Sequence, residues 1–296
     1  MRKGCVQPGI AADALRAQLN AALGLQVGLV MRNRSSFIHR RRKQQACTLL
    51  CLSSALLLSA AVTLADEKDE PRMIRHQQFN STYKIRVGES QGTAFYMPLE
   101  KKHFLVTAKH LWGKSEDSQA EILLDEEWVT LPGAVTPHAD SRIDIAAIEV
   151  DPGEVGTPQA GNTKFGSTNL IISAEVFFLG YPYGLGSETT LMRWPSAMVK
   201  GAIVAGSAET NDGFHLGFYL DGHNNPGFSG GPCVWQRNDG VAQVFGVVSS
   251  YLPQRETLYD KDGKARMVLF ENSGLFQCHD LSHMITLLRD RSEGSQ

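Results

Sequence analysis

Asn224-Asn225-Pro226-Gly227-Phe228-Ser229-Gly230-Gly231-Pro232 is the stretch on which the reading of this chain turns. A serine set among glycines sits on a tight turn whose backbone N–H groups no side chain obstructs, as stabilisation of a developing oxyanion requires. Gly227 and Ser229 would supply those two N–H groups. A serine hydroxyl is a weak nucleophile, so the turn carries chemistry only if a base lies near it and an acceptor orients that base. Without those partners the segment is only a glycine-rich hairpin turn.

Two upstream segments offer the partners. Phe104-Leu105-Val106-Thr107-Ala108-Lys109-His110 reads as an apolar strand ending in a histidine, and Arg142-Ile143-Asp144-Ile145-Ala146-Ala147-Ile148 places one carboxylate inside an otherwise apolar strand. Such an aspartate is costly unless it is hydrogen-bonded. The expected donor is His110 Nδ1–H, with Arg142 as the alternative partner. Nucleophile, base and orienting acid are then all present, in three separate segments.

Between and beyond these segments the chain from residue 75 onward is a series of short β-rich runs punctuated by Gly, Pro and Asp. Expected strands are Tyr83–Val87, Gly92–Met97, Phe104–Thr107, Glu127–Leu131, Ile143–Val150, Glu175–Leu179, Met198–Val204, Phe214–Asp221, Pro232–Trp235, Gln243–Ser250 and Lys264–Phe270. Their spacing and the near absence of helical periodicity argue an all-β barrel or sandwich. One helix is expected, Leu281–Arg289, with Leu281, Ile285 and Leu288 on one face. The Gly/Pro/Thr/Asn-rich stretch Asp151–Thr168 divides the strands into two similar sets, which points to two small barrels, 66–160 and 161–296, behind a leader of residues 1–65.

The chain has 296 residues, 42% hydrophobic and 20% charged, a globular composition with room for one large domain or two small ones. Its net charge of −2 hides an asymmetry, because residues 1–65 hold nine Lys and Arg against a single acid, Asp13, leaving the body at −10. Such a body is a poor binder of nucleic acid or anionic membrane, and no nucleic-acid partner is expected. The basic run from Met31 to Lys43 followed by the uncharged run Ala46–Leu64 has the layout of a secretory signal, with Thr63-Leu64-Ala65 as a loose cleavage site. At nineteen residues the apolar run is also close to a bilayer span, so an uncleaved membrane anchor is the alternative. Either way the body is exported. Residues 1–30 do not fit in front of a short charged n-region, so translation from Met31 is one reading.

Only Cys233 and Cys278 of the five cysteines lie in the body. An oxidising compartment permits one bridge between them, while a small buried hydrophobe is the favoured reading of Cys233. Three further patterns are weak. Gly227-x-Ser229-x-Gly231 fits a nucleophile elbow, but Pro232 and the β-rich run after it oppose the helix that pattern needs. His279-x-x-x-His283 has metal-ligand spacing on a helix but lacks the zincin glutamate, so a solvated helix face is expected. Asp260-Lys261-Asp262-Gly263 reads as a hairpin turn rather than a calcium loop.

TAKH, DIA and GFSGGP, in the order His, Asp, Ser, resemble the trypsin/chymotrypsin-like serine proteases, in particular the bacterial trypsin-like, Deg-type branch. Gly92-Thr93-Ala94-Phe95 is similar to the family's first-barrel strand pair, and Gly180-Tyr181-Pro182-Tyr183-Gly184-Leu185-Gly186 to a turn of that branch. The resemblance spans roughly Gln91–Tyr251. It implies a chymotrypsin-like fold of two six-stranded antiparallel β-barrels followed by the C-terminal helix. It also implies catalytic roles for His110, Asp144 and Ser229, with Ser249 supporting the aspartate from a strand whose backbone pairs with substrate. His223 falls at the base of the specificity pocket, where a trypsin-like carboxylate is missing, and Tyr251 joins it as an expected substrate contact. Phe228 replaces the acid that pairs with a new amino terminus in trypsin-type zymogens, so that activation route is not expected. The residues after Tyr251 are too few for the peptide-binding domain that follows the protease domain in Deg enzymes.

The expected function is an exported serine endopeptidase, periplasmic or secreted, that cleaves proteins or peptides and needs no metal or organic cofactor. The alternatives are a catalytically silent protein of the same fold that binds peptides or a partner, and an esterase using the same three residues.

Overall fold

The computed structural model describes residues 74, 78, 80–113, 118–158, 160–167, 170–187, 194–237 and 239–293. The chain divides into Met1–Glu70 and Pro71–Gln296, and the leader expectation lies outside the described residues. Among the described residues no helix is long and apolar enough to cross a membrane.

The strands form because runs of β-branched and aromatic residues alternate between a buried and a more open face, as in Thr82–Val87, where Tyr83, Ile85 and Val87 point inward. The first sheet holds β1 (Thr82–Val87), β2 (Ser90–Leu99), β3 (Lys102–Thr107), β4 (Ala120–Leu124), β5 (Glu127–Thr130), β6 (Val135–Pro137) and β7 (Ala146–Glu149), in the order β5-β4-β1-β2-β3-β7-β6. No ladder joins β5 to β6 among the described residues, so this seven-stranded sheet is a half-barrel. The second holds β8 (Thr163–Phe165), β9 (Glu175–Gly180), β10 (Met198–Glu209), β11 (His215–Asp221), β12 (Pro232–Gln236), β13 (Ala242–Tyr259) and β14 (Ala265–Asp280). Because β12 pairs with both β9 and β13, β9-β10-β11-β14-β13-β12 closes into a six-stranded ring, and β8 adds to β13 in parallel. The chain ends in α1 (Ser282–Glu293), whose first turn is capped by Asp280 Oδ1 accepting the Ser282 N–H at 2.8 Å.

Three apolar clusters hold these layers. One lies within the first sheet around Tyr83, Leu105 and Ile122, and one within the ring around Phe178, Phe245 and Phe276. The third joins the two sheets, packing Phe95, Met97 and Val106 with Leu179, Val244 and Val247 and with Leu281, Met284 and Ile285 at the start of α1.

The strands differ from expectation in two main ways. β4, β6 and β8 are additional, and two of them are three residues long, too short to leave a period in the sequence. β13 and β14 run far beyond Gln243–Ser250 and Lys264–Phe270, passing Pro253 and Gly274. Proline is tolerated there because, among the described residues, no strand lies on the outer edge of β13 at that point and no N–H is needed on that side. Cys233 on β12 and Cys278 on β14 form a disulfide with Cα atoms 6.7 Å apart, so the two are a bridge rather than a lone buried thiol and its distant mate.

Candidate active site

β3 ends at Thr107, and the chain turns at once into a short 3-10 helix, Lys109–Trp112, which carries His110 out of the strand. Asp144 is not inside a strand as expected. It sits in the turn just before β7, where the Ile143 N–H bonds the Asp140 carbonyl and the backbone is free to aim at other partners. There Asp144 Oδ1 accepts the His110 backbone N–H at 2.8 Å, and Oδ2 meets His110 Nδ1 at 2.6 Å and the Ser249 hydroxyl at 2.5 Å. Arg142, the alternative partner, instead grips Asp140 through both its Nε and Nη2.

The Asp144 backbone N–H donates to His279 Nδ1 at 3.0 Å, a contact the sequence did not reveal. His279 belongs to β14, not to a helix face shared with His283, and it is 4% exposed. Burial pushes its imidazole down to about 4 from an ordinary 6.5, so it stays neutral and accepts. A histidine whose pKa is depressed on folding contributes stability that is present above pH 6.5 and is lost as pH falls toward 4, about 3 kcal/mol in all. Urea unfolding at pH 7 and pH 4.5 is therefore expected to show a smaller acid loss in His279→Gln, which cannot take up that proton, than in the parent; equal losses would contradict it.

Burial opposes protonation of His110 as well, but the hydrogen bond and the charge of Asp144 outweigh it, and the imidazole pKa lies above the usual value. Asp144 is held below the ordinary carboxylate range: burial raises its pKa, and its bonds to His110 and Ser249 more than compensate.

The turn that carries Ser229 is fixed from three sides. Phe228 is fully buried in the ring's core, edge-on to Phe178 with centroids 4.8 Å apart. Thr93 of β2 donates its hydroxyl to the Gly227 carbonyl at 2.7 Å and its N–H to the Ser229 carbonyl at 2.8 Å. Lys200 of β10 donates to the His223 carbonyl at 2.5 Å and to Asn225 Oδ1 at 2.8 Å. Gly227 has φ +102°, and a Cβ there would overlap the Tyr181 carbonyl; Gly230 has φ +85°, and a Cβ would meet the Thr93 carbonyl. Both positions require glycine.

The orientation of the two expected oxyanion donors follows from their peptide planes. The Pro226 carbonyl accepts the Tyr183 N–H at 2.7 Å and the Phe228 carbonyl accepts the Gly231 N–H at 2.8 Å. In a trans peptide the N–H points opposite to the C=O, so the Gly227 and Ser229 N–H groups face away from those bonds. Neither N–H has a partner among the described residues.

His110, Asp144, Ser229 and Ser249 line one cleft of about 580 Å³ with Asn224, Asn225, Pro226, Ser250, Tyr251 and Pro253. The Ser229 hydroxyl lies 3.4 Å from the Ser249 carbonyl, to which it donates. His223 is exposed and does not line the cleft; it contributes its carbonyl to Lys200. Thr93 was legible only as part of a strand, because its partners Gly227 and Ser229 lie more than a hundred residues away. Thr93→Val keeps shape and loses the bond to the Gly227 carbonyl, so a roughly tenfold fall in kcat with little change in KM is expected in peptide hydrolysis. An unchanged kcat would remove Thr93 from the support of the turn.

Two facing β-sheets with such a cleft define a protease of the chymotrypsin-like fold. The chain belongs to the trypsin-like peptidase domain family, whose model matches residues 92–242, half of its length. Similar solved structures include the Rv3671c protease of M. tuberculosis in its inactive form, at 17% identity over 73% of this chain and 90% of that one, with a TM-score of 0.49. The HtrA-type protease AlgW with tripeptide is similar at 18% identity over 75% and 63%, TM-score 0.47. The serine endoprotease of Yersinia pestis is similar at 16% over 75% and 67%, TM-score 0.44. No curated protein matches.

Proposed function

We propose that the chain is an exported serine endopeptidase of the Deg-like type. The observation that carries this reading is the Asp144–His110 pair at 2.6 Å in the same cleft as Ser229, on a turn whose Gly227 and Ser229 N–H groups have no partner among the described residues. Ser229 attacks the scissile carbonyl while His110 takes its proton, and Asp144 holds the imidazole with Nδ1 protonated and Nε2 free. The Gly227 and Ser229 N–H groups receive the oxyanion, His110 returns the proton to the leaving amine, and water then releases the acyl group. Proteins or peptides are the substrates. The Cys233–Cys278 bridge fits an oxidising compartment and so supports export, as does the basic and then apolar leader, with a periplasmic or secreted body or one held by an uncleaved anchor.

One observation favours a second reading. The Ser229 hydroxyl is directed at the Ser249 carbonyl, the arrangement a silent peptide-binding protein of this fold would keep.

Cleavage of denatured casein by the full chain and by His110→Ala across pH 5 to 10 separates the two. Base catalysis needs neutral His110, whose pKa is raised, so activity is expected to climb with pH through a midpoint above 6.5 and to be lost in the variant. Casein binding without cleavage at any pH would establish the silent reading.

A further inference from the structure

The chain from the cleft outward forms an arm. β12 and the nucleophile turn accompany β13 only as far as Val248, and from Ser249 to Tyr259 its single described neighbour is β14, paired from Tyr251↔Phe276 out to Tyr259↔Ala265. The hairpin closes on Asp260, whose Oδ1 accepts the Asp262 and Lys264 N–H groups. The other edge of β13, about 35 Å long, is open among the described residues, and its inner end, Ser249 to Pro253, is a wall of the cleft that holds Ser229. Open edges of this length are normally short, charged or covered. This one carries Arg255 and Glu256 midway but exposed apolar side chains toward its tip: Leu258 and Tyr259 on β13, with Met267, Val268 and Phe270 on the paired β14, are between 41 and 66% exposed. The pairs Leu258↔Met267 and Arg255↔Phe270 place them on both faces of the ribbon. Four basic residues (Arg255, Lys261, Lys264, Arg266) balance four acidic ones (Glu256, Asp260, Asp262, Glu271), so the arm has no field for nucleic acid. Its root is tied to the cleft: Asn272 Nδ2 donates to the Asn224 carbonyl, and the Gly222 N–H donates to the Gly274 carbonyl at 2.8 Å.

We infer that the arm is a docking strand for unfolded polypeptide substrates, which add to the free edge of β13 on either side of Pro253, where no N–H is offered, and continue into the cleft. Backbone pairing along the edge would give sequence-tolerant affinity, and the apolar side chains would favour extended segments with hydrophobic residues at alternate positions. The occupant is a substrate rather than a second copy because the edge starts beside Ser229. This inference rests on the peptidase reading for its purpose, not for its test.

The test uses the full chain carrying Ser229→Ala, so that nothing is cleaved, titrated by fluorescence anisotropy with labelled peptides from denatured casein of about four and about twelve residues. Leu258→Lys and Phe270→Lys, both at exposed positions, are made in this background and in the parent. The long peptides are expected to bind at least tenfold more tightly than the short ones, and each lysine variant to remove most of that gain. Hydrolysis of a p-nitrophenyl ester by the parent, which needs only the cleft, is expected to be unchanged by them. Length-independent binding, or a gain that survives both variants, would overturn the inference. So would loss of self-association or of liposome binding in the variants with no effect on peptides. Length-dependent binding in a protein whose parent hydrolyses no ester would sustain the arm and refute the peptidase.

Discussion

Ser229→Ala is expected to lower kcat for peptide hydrolysis by about 10⁶-fold while leaving KM and stability near the parent values. The size follows from the loss of covalent catalysis altogether, since no neighbouring hydroxyl stands in the same relation to the turn. Ser249 is already committed to Asp144, and Ser250 is exposed on the strand beyond it. The turn itself should survive, because Phe228 packing, the Thr93 bonds and the Lys200 contacts do not involve the Ser229 hydroxyl. A residual activity of more than a few per cent would mean that another nucleophile acts.

Asp144→Asn is expected to cost about 10⁴-fold in kcat. The carboxylate accepts from three donors, the His110 N–H, His110 Nδ1–H and the Ser249 hydroxyl. An amide replacing it keeps one acceptor oxygen and turns its NH₂ either to the His110 backbone N–H, in place of Oδ1, or to His110 Nδ1 and Ser249 together, in place of Oδ2. Facing His110 Nδ1, that NH₂ selects the tautomer with Nε2 protonated, which cannot take the proton of Ser229. The charge that raises the His110 pKa is lost as well, so the residual activity should show its acid limb at lower pH than the parent. A variant with the parent's pH profile and only a small loss of rate would leave Asp144 a purely structural role.

Ser229, His110 and Asp144 were legible as a candidate site because each occupies a short local motif: glycines around Ser229, an apolar run before His110, a lone carboxylate among apolar residues at Asp144. The two-sheet all-β fold was legible from strand spacing for the same reason. What stayed hidden depends on residues far apart in the chain. His279 reads as a helix residue four before His283, yet β14 extends through Asp280 because Gly246↔Asp280 and Val247↔His279 pairing holds it, and this delivers the imidazole under Asp144. Thr93 and Lys200 look like ordinary strand residues until β2 and β10 are brought against the turn. Asp144 was placed in a strand by its apolar neighbours, whereas its bonds to His110 and His279 hold the backbone in a turn ahead of β7. The expected strands stopped at Ser250 and Phe270, short of the β13–β14 arm, yet Pro253 breaks only a strand with neighbours on both edges, and Gly274, at φ +83°, sits where the register shifts between Tyr251↔Phe276 and Pro253↔Asn272.

The most direct measurement of the central claim is intact-mass spectrometry with peptide mapping of the full chain after exposure to a fluorophosphonate, alongside His110→Ala. A single adduct on Ser229, absent from the variant, is the expected result, because phosphonylation needs a serine activated by a neighbouring base. No adduct on a protein shown by circular dichroism to be folded, or an adduct equally strong without His110, would contradict it.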